Sequence, residues 1–466
     1  MFDELNEECG IFGISLKNKS EDLIKNLYLG LFALQHRGQE SCGIAYFENN
    51  EIKTIKSKGL VTSELYESLP INLSTSNAIG HVRYSTCGGS SLINAQPLNF
   101  KCNKGEMAIA HNGNIPDSEI IKNNLIQTGS IFQTTSDSEI LVHLMARIPG
   151  NDFETSLTNS LNQLKGAYSM LILHNDQMIA FRDPNGFRPL SYGEVDDGFV
   201  FASESCALDL INAKNIVEVE PGEIIIAKNG KIEKKRYALT QKISRCIFEL
   251  IYFSRPDSIV FGESVYEARL KMGEKLSKAS KVTPDIVISV PDSGTTAALG
   301  FSKASGIPFQ FGLMRNHYMG RTFIKPEQKK RTESVRIKLN PIKSVIEGKS
   351  IAVIDDSLVR GTTSRKIVQI LKEAGAKEVH LFLSSPEIKF SCHFGIDTPT
   401  RKELISSSKT PSEVAKEIGA DSVTFLDIED LKQCVAEPEK YCYACYTGEY
   451  PIRLKSDCEG CKTSQN

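Results

Sequence analysis

The chain has 466 residues, of which 40% are hydrophobic and 24% are charged, and its formal net charge at pH 7 is −2. This length is too great for one hydrophobic core and predicts two or three globular domains. The near-neutral charge gives no bulk electrostatic reason to bind nucleic acid or an anionic membrane, and no apolar run reaches the roughly 20 residues of a membrane-spanning helix.

The chain opens with eight residues, "MFDELNEE", directly before Cys9, and four of the eight are acidic. This segment lacks the positive charge and the apolar core of a signal peptide, so we expect a cytoplasmic protein. In a reducing compartment, the twelve cysteines are expected to be buried, catalytic or metal-bound rather than disulfide-paired.

The first half of the chain reads mainly as short strands in hairpins. Helical patterns cover residues 21–38 and 136–148, and a Pro-Asn-Gly turn lies within "AFRDPNGFRPLSYG". Asn229-Gly230 is a strong hairpin signal between two extended segments. Strands in hairpins with a few helices predict a layered, antiparallel α+β domain.

The pattern changes in the second half. Residues 284–306 read as strand, turn and helix, and residues 349–385 repeat that order and add a strand. This alternation is typical of a parallel α/β sheet, and no internal sequence repeat is evident. We expect a leader at 1–8, a first domain at 9–240, a second at 241–440 and a Cys-rich segment at 441–466.

The most specific stretch is "VIDDSLVRGTT", residues 353–363. Loops at the carboxyl ends of parallel strands bind ligands, and backbone N–H groups at a helix start suit a phosphate. Paired aspartates suit sugar hydroxyls or Mg²⁺. The alternative is an ordinary loop in which an aspartate caps the helix.

The string resembles the phosphoribosyl-diphosphate signature of type I phosphoribosyltransferases. The resemblance implies that Asp355 and Asp356 contact the ribose hydroxyls and Mg²⁺. It implies that the 5-phosphate is held by residues 357–363, including Ser357, Arg360, Gly361, Thr362 and Thr363. "PDSG", residues 291–294, resembles the diphosphate loop, with Ser293 near the metal. "RTFIKPEQKKR", residues 321–331, resembles the mobile loop that closes over the substrate, or is a solvated basic face.

Four strings in the first half share a domain with Cys9. They are "QHRGQESCGIA" at 35–45, "HVRYST" at 81–86, "HNGNI" at 111–115 and "SDSE" at 136–139. Together they resemble the class II glutamine amidotransferases, which are N-terminal nucleophile hydrolases. The resemblance implies a layered αββα sandwich that hydrolyses glutamine.

The chemistry of amide hydrolysis explains an N-terminal cysteine. A free α-amine titrates near about pH 7.7–8.0, so it can accept the thiol proton and later protonate the leaving ammonia. Cys9 acquires such an amine only if residues 1–8 are removed as a propeptide. The alternative is a buried structural cysteine in a strand.

The same resemblance implies roles for four further residues. The Asn112 side chain and the Gly113 N–H form the oxyanion hole, Arg83 pairs with the glutamine carboxylate, and Asp137 pairs with the glutamine ammonium. A structural ion pair is the alternative for Arg83 and Asp137. We expect His36 and His111 to order loops rather than act as bases.

A glutaminase fused to a phosphoribosyl-diphosphate site resembles the amidophosphoribosyltransferase family. That implies transfer of ammonia, through the protein interior, to C1 of 5-phosphoribosyl 1-diphosphate. The products are 5-phosphoribosylamine, glutamate and diphosphate, in the first committed step of purine synthesis. It also implies Mg²⁺, glutaminase activation as residues 321–331 close, inhibition by purine nucleotides, and a homotetramer. A glucosamine-phosphate synthase would lack "VIDDSLVRGTT", and a ligand-sensing regulator would need a DNA-binding segment that is not visible.

The cysteines of the second half are crowded near the C-terminus. The contexts of Cys246, Cys392, Cys442 and Cys445 resemble the family branch that carries a [4Fe–4S] cluster on four thiolates. Alternatively, Cys442, Cys445, Cys458 and Cys461 could hold zinc. In the first case Cys458 and Cys461 have no role that the sequence suggests. The remaining Cys42, Cys87, Cys102 and Cys206 are expected to be small core or loop residues.

Overall fold

The computed structural model describes residues 9–70, 73–84, 91–150, 152–240, 242–316, 339–396 and 398–454. Several sequence predictions lie outside the described residues: the leader 1–8, the last two residues of the "HVRYST" string, Cys87, the basic stretch 321–331, and both Cys458 and Cys461.

The first half folds as strands with helices between them. The strands are β1 Gly10–Ser20, β2 Ser41–Glu48, β3 Glu51–Lys58, β4 Thr75–Arg83, β5 Leu98–Cys102, β6 Gly105–Asn114, β7 Ala167–His174, β8 Gln177–Arg182, β9 Ser191–Val195, β10 Gly198–Ala202, β11 Lys214–Glu218, β12 Glu223–Lys228 and β13 Lys231–Arg236. The helices are α1 Asp22–Ala33, α2 Ser118–Gln127, α3 Glu139–Arg147, α4 Phe153–Leu161 and α5 Ser205–Leu210.

These strands form two antiparallel sheets that pack face to face. One sheet has the order β11-β9-β10-β1-β4-β2-β3, and the other has the order β13-β12-β8-β7-β6-β5. Because side chains alternate along a strand, Ile11 of β1 enters the core between the sheets, whereas Phe12 packs toward α1. Helices α3 and α4 cover the outer face of the second sheet. The predicted αββα sandwich is confirmed.

The hairpin predicted at Asn229-Gly230 is also present. Strands β12 and β13 pair antiparallel up to Lys228 and Lys231, and the two turn residues have φ angles of 52° and 69°. Both central residues of a type I′ turn need a positive φ, which is why Asn-Gly marks such hairpins so reliably.

The second half contains β14 Arg245–Cys246, β15 Ile259–Val260, β16 Glu263–Ser264, β17 Ile286–Ser289, β18 Leu313–Arg315, β19 Leu339–Pro341, β20 Ser350–Asp355, β21 Glu378–Leu383, β22 Ser422–Phe425 and β23 Tyr441–Cys442. Its helices are α6 Val265–Lys278, α7 Thr295–Ser305, α8 Lys343–Ile346, α9 Thr362–Glu373, α10 Pro411–Ile418, α11 Ile428–Lys432 and α12 Ala444–Thr447.

A parallel sheet in the order β17-β20-β21-β22 forms the centre of this half. Helices α6 and α7 pack on one face, and α9 and α10 pack on the other. The strands are therefore buried on both sides and read as continuous apolar runs, such as "SIAVID" in β20. The predicted parallel α/β domain is confirmed.

The C-terminal part of the described chain returns to the start of the second half. Strand β23 pairs in parallel with β14, which places Cys442 opposite Cys246. Within the described ranges, no helix combines the length and the apolarity that crossing a bilayer requires.

Candidate active site

Cys9 lies directly before β1, at the edge of the sandwich. Antiparallel pairing of β1 with β4 sets Gly10 opposite Val82, so Cys9 lies beside the end of β4. The Cys9 thiol is buried, with its Sγ 3.5 Å from the carbonyl oxygen of Tyr84. Its carbonyl oxygen accepts a hydrogen bond of 3.0 Å from Arg37 Nε. The predicted nucleophile is thus enclosed, with its backbone held by a buried guanidinium.

The predicted oxyanion residues lie near the end of β6, the strand next to the edge strand β5 of the second sheet. Asn112 is 1% exposed, and neither its Nδ2 nor its Oδ1 has a hydrogen-bond partner among the described residues. Gly113 has φ of 146°, and a Cβ atom there would lie 2.0 Å from the Ala167 carbonyl oxygen. Only glycine fits this backbone. A buried amide with unsatisfied groups is costly in a core, and it suits a site that a substrate completes.

The predicted glutamine-binding residues lie at the ends of neighbouring elements. Arg83 ends β4, and its guanidinium is 3.8 Å from the Glu40 carboxylate. Asp137 is buried, and its Oδ2 accepts a 2.9 Å hydrogen bond from the Ile115 N–H. Burial raises the pKa of Asp137, but His111, Ile115 and Ser138 outweigh that effect and hold it below its ordinary value. Asp137 is therefore an anion, as pairing with an ammonium requires.

His36 and His111 both make contacts that order their surroundings. His111 Nδ1 lies 2.8 Å from the Ser138 hydroxyl, and the His111 N–H donates to Gln96 Oε1 at 2.7 Å. His36 Nε2 lies 2.7 Å from the Glu204 carboxylate. These contacts fit the expected loop-ordering roles.

The paired aspartates of the second half lie at the carboxyl end of β20, in the wall of a cleft. The Asp356 N–H donates to Asp355 Oδ1 at 2.9 Å, and the Ser357 hydroxyl donates to Asp356 Oδ1 at 2.6 Å. Burial raises the pKa of Asp356, against opposing contributions from Ser293, Ser357 and Arg269. Ser293, from the loop after β17, lines the same cleft. The structure thus brings the two predicted loops together.

The predicted phosphate loop leads into α9. Gly361 has a left-handed φ of 80° directly before Thr362, and Gly361 and Thr363 line the cleft. Backbone N–H groups at a helix start suit a phosphate. Arg360 and Thr362, among the described residues, are not part of the cleft wall. The Arg360 guanidinium lies 3.3 Å from Glu403.

The cleft also contains residues that sequence reasoning missed. Its wall includes Arg37 from the first half, the stretch 252–256, Arg269 and Arg315. The Arg315 guanidinium pairs with Asp292 at 2.9 Å. None of these residues stands in a string with a distinctive spacing, except that Arg37 belongs to the quoted "QHRGQESCGIA". The cleft therefore reaches from the phosphoribosyl half to the element that holds Cys9.

Four cysteines line a small pocket at the junction of the two halves, together with Phe187, Phe394 and Tyr450: Cys246, Cys392, Cys442 and Cys445. Burial raises the pKa of Cys442 to about 12. The pKa of Cys445 is raised well above its ordinary value by burial and by the nearby Cys442, Cys392 and Cys246 thiols. No group of three or more His, Cys, Asp or Glu side chains in the described ranges converges as single-ion ligands would. Cys42 and Cys206 are buried in the first half.

Comparison with known proteins places this geometry in context. Residues 81–210 match the model of a glutamine amidotransferase domain. Over 97% of its length, the chain is 47% identical to amidophosphoribosyltransferase 3, chloroplastic, of Arabidopsis thaliana, of which it covers 85%. It is 45% identical to the amidophosphoribosyltransferase of Bacillus subtilis strain 168, with 97% of this chain and 96% of that one aligned.

A solved structure extends the similarity to three dimensions. The glutamine phosphoribosylpyrophosphate amidotransferase of B. subtilis, in complex with ADP and GMP, superposes with a TM-score of 0.89 at 44% identity. The match covers 96% of this chain and 98% of that one, so it includes both sheets of the sandwich and the parallel sheet.

Proposed function

The chain belongs to the amidophosphoribosyltransferase family, and from that membership we propose how its residues divide the reaction between two sites. The enzyme transfers ammonia from glutamine to C1 of 5-phosphoribosyl 1-diphosphate. The products are 5-phosphoribosylamine, glutamate and diphosphate, and this is the first committed step of purine nucleotide synthesis. The observation that best supports two separate sites is that Cys9 and Asn112 are buried in the sandwich and are not part of the cleft wall that contains Asp355 and Asp356.

The first site hydrolyses glutamine. Cys9 Sγ attacks the side-chain amide carbon, while the α-amine of Cys9 takes the thiol proton and returns it to the leaving ammonia. Water then hydrolyses the thioester to glutamate. The Asn112 side chain and the Gly113 N–H stabilise the oxyanion at each step, in line with the unpartnered amide of Asn112. The α-amine of Cys9 is free to act as a base only after residues 1–8 are removed.

Charged side chains bind the α-carboxylate and the α-ammonium of glutamine. Arg83 pairs with the α-carboxylate and Asp137 with the α-ammonium. The depressed pKa of Asp137 supports its role, because the anion is present throughout the neutral range. Arg83 ends β4, and its planar guanidinium fork matches the geometry of a carboxylate.

The second site transfers the ammonia. Asp355 and Asp356 bind the ribose hydroxyls, and Ser357, Arg360, Gly361, Thr362 and Thr363 hold the 5-phosphate. Ser293, Asp355 and Asp356 together fit Mg²⁺, because oxygen ligands suit this ion and a cation offsets the cost of burying Asp356 as an anion. Mg²⁺, when bound, neutralises charge on the departing diphosphate. Ammonia then reaches C1 through the interior, where water cannot protonate it.

The pocket at the junction fits a [4Fe–4S] cluster. Its four thiols share one lining, and burial raises the pKa of Cys442 and, together with the neighbouring thiols, that of Cys445. An iron cluster would offset the charge of the four thiolates. Four thiolates are the ligand set that such a cluster requires. Cys246, Cys392, Cys442 and Cys445 would hold the cluster, which would supply cross-linking between distant segments. The rival zinc site needs Cys458 and Cys461, outside the described residues.

Further assignments complete the proposal. The domain limits are 9–240 for the glutaminase, 241–440 for the phosphoribosyltransferase and 441–466 for the Cys-rich segment. The enzyme acts in the cytoplasm as a homotetramer. The ADP and GMP of the B. subtilis structure support inhibition of this chain by purine nucleotides. Closure of residues 321–331 activates the glutaminase.

Mass spectrometry combined with a donor assay tests this proposal. We expect the active protein to begin at Cys9, and to release diphosphate from phosphoribosyl diphosphate with either glutamine or free ammonia. Active protein that still begins at Met1 would contradict the α-amine mechanism. Release of diphosphate with neither donor would contradict the proposed reaction itself.

A further inference from the structure

Arg37 occupies a position between the two candidate sites. It follows α1, in the short turn Gln35–Arg37, and is buried although it forms part of the cleft wall. On one side, its Nε donates to the Cys9 carbonyl oxygen at 3.0 Å. A rigid donor on the backbone of the nucleophilic residue determines where that backbone lies. The orientation of Arg37 therefore affects the position of Cys9.

Two buried carboxylates hold the remaining nitrogens of Arg37. Glu249 accepts from Nη1 at 2.9 Å and from Nη2 at 2.8 Å, which is a bidentate pair. Glu204 accepts from Nη1 at 2.7 Å. Arg188 Nη1 lies 3.5 Å from Glu249, so two guanidinium groups balance two carboxylates in this network. Glu204 belongs to the first half of the chain, whereas Glu249 belongs to the second.

The same carboxylates contact the cleft. Glu249 Oε2 accepts from the Ser254 hydroxyl at 2.7 Å, and the Ser254 carbonyl accepts from Arg269 Nη2 at 2.7 Å. Glu204 Oε2 accepts from the Arg255 N–H at 2.9 Å. Ser254, Arg255 and Arg269 all line the cleft, and the positive charge of Arg269 acts on Asp356. Hydrogen bonds thus run from Arg269, whose charge acts on Asp356, through Ser254, Glu249 and Arg37 to the Cys9 carbonyl oxygen.

We propose that Glu204 and Glu249 are positioning residues that couple the occupied phosphoribosyl-diphosphate cleft to the alignment of Cys9 through Arg37. A substrate in the cleft displaces the stretch 252–256 or Arg269, and Glu249 and Glu204 pass this shift to Arg37 and the Cys9 carbonyl. A charged, bidentate connection is stiff enough to transmit small displacements, since each partner is buried and has few alternative positions. Phosphoribosyl diphosphate then raises the reactivity of Cys9 without touching it.

The rate at which a glutamine analogue alkylates Cys9, measured with and without phosphoribosyl diphosphate, tests this coupling. The mature enzyme is incubated with an electrophilic glutamine analogue, and the rate of Cys9 alkylation is recorded with and without phosphoribosyl diphosphate and Mg²⁺. Coupling between sites is typically about 5- to 150-fold, and we expect Glu249→Gln to remove most of the acceleration. Diphosphate release with free ammonia should stay within about twofold, since Glu249 does not line the cleft.

A second variant and a matched control keep the test decisive. Arg37→Lys retains the buried positive charge but loses the fork and the Nε donor, so it should also lose the acceleration. Glu218→Gln is the control, because Glu218 also lies where the halves meet, 3.6 Å from Arg182 and 3.9 Å from Arg245, without contacting Arg37. In Glu218→Gln, phosphoribosyl diphosphate should accelerate the alkylation of Cys9 as much as it does in the wild type.

The outcomes separate this proposal from the function on which it rests. If alkylation of Cys9 is fully accelerated in both Glu249→Gln and Arg37→Lys, the coupling is overturned. It is also overturned if the control Glu218→Gln loses the acceleration to the same extent as these variants. If Glu249→Gln does not fold, Arg37→Lys decides alone. A wild-type enzyme that uses both nitrogen donors but shows no acceleration also overturns the coupling and leaves the proposed reaction intact. Absence of transfer with either donor would instead overturn the proposed function.

Discussion

The two candidate sites differ in how much of each is open to solvent. Cys9, Asn112 and Asp137 are buried between strand ends of the sandwich. The cleft, in contrast, is edged by Asp292 and Arg315, whose side chains are 64% and 50% exposed. Enclosure protects a thioester from unwanted water, whereas a highly charged substrate needs an open entrance. The difference in burial follows from the difference in chemistry.

The sites also differ in what builds them. Register within the sheets places Asn112 opposite Ser169 and Gly10 opposite Val82, so the glutaminase site is part of the core. Loops after β17 and β20 build the cleft instead, on a sheet that is already complete without them. Substitutions in the cleft should therefore change activity with little effect on stability, because loops carry few core contacts.

The largest expected difference between the two sites follows removal of the predicted nucleophile. Cys9→Ala should lower glutamine-dependent synthesis by about 10⁴-fold or more, since removal of a hydrolase nucleophile costs of that order. Synthesis from free ammonia at high pH should remain, because the cleft does not use Cys9. Diphosphate release with each donor measures both. Loss of both activities would show that Cys9 is structural, and retention of both would end its role as nucleophile.

The next largest effect is expected in the cleft. Asp356→Asn should lower transfer about 10³-fold with either donor, at the upper end of losses for one electrostatic contact in a transition state. Asp355→Asn should act in the same direction. The measurement is diphosphate release at saturating Mg²⁺, with Asp427→Asn, at an exposed helix start, as the control. Normal transfer in both cleft variants would place the ribose site elsewhere.

The third prediction concerns the junction between the two regions. Cys246→Ser, Cys392→Ser, Cys442→Ser and Cys445→Ser should each lower the iron content of anaerobically purified protein from about four per chain to near zero. They should also lower its melting temperature, because metal binding contributes to folding. Cys434→Ser is the matched control, since Cys434 is buried nearby but does not line the pocket. Stoichiometric zinc in a colourless, active protein would refute the cluster.

The smallest expected effect concerns the stability contribution of Glu139, a structural carboxylate near the predicted glutamine-binding Asp137. Glu139 is buried and accepts 2.7 Å hydrogen bonds from the N–H groups of Gln133 and Thr134. Burial raises the pKa of Glu139, but bonds from His143, Gln133 and Thr134 hold it below its ordinary 4.5. A depressed carboxyl pKa stabilises the fold above the unfolded value and loses this contribution as the pH falls through the folded value.

Glu139→Gln should therefore lower the free energy of unfolding by about 1–2 kcal/mol at pH 7. The difference from the wild type should shrink as the pH falls from about 4.5 through the lower folded value, below which the wild-type carboxyl is also neutral. Urea titrations across this range give the measurement. A constant difference at all pH values would show that shape, not charge, determines the effect. Glutamine turnover should be little changed, unlike in Asp137→Asn.

Much of the fold and of the candidate site could be predicted from short strings. "VIDDSLVRGTT" and "HNGNI" each contain a strand end and the residues next to it, so contacts within a few residues determine their local shape. The layered antiparallel α+β domain and the parallel sheet followed from hairpin signals and from strand–helix alternation, whereas the αββα arrangement was implied by the resemblance to class II glutamine amidotransferases. The roles of Cys9, Asn112, Arg83 and Asp137 stay predictions, which the geometry supports by burial and charge.

The sequence by itself determined the two kinds of domain, the reaction that their combination performs and the strings that line each site. Only the tertiary structure decided that Arg37 meets Glu204 and Glu249, which lie 167 and 212 residues further along the chain. It also decided that Cys246 lies opposite Cys442. Local propensity and hydrophobic period act over one or two turns, so they carry no information on such pairs. The contacts Arg37–Glu204 and Cys246–Cys442 arise only when distant segments of one half pack together, and Arg37–Glu249 arises only when the two halves pack against each other.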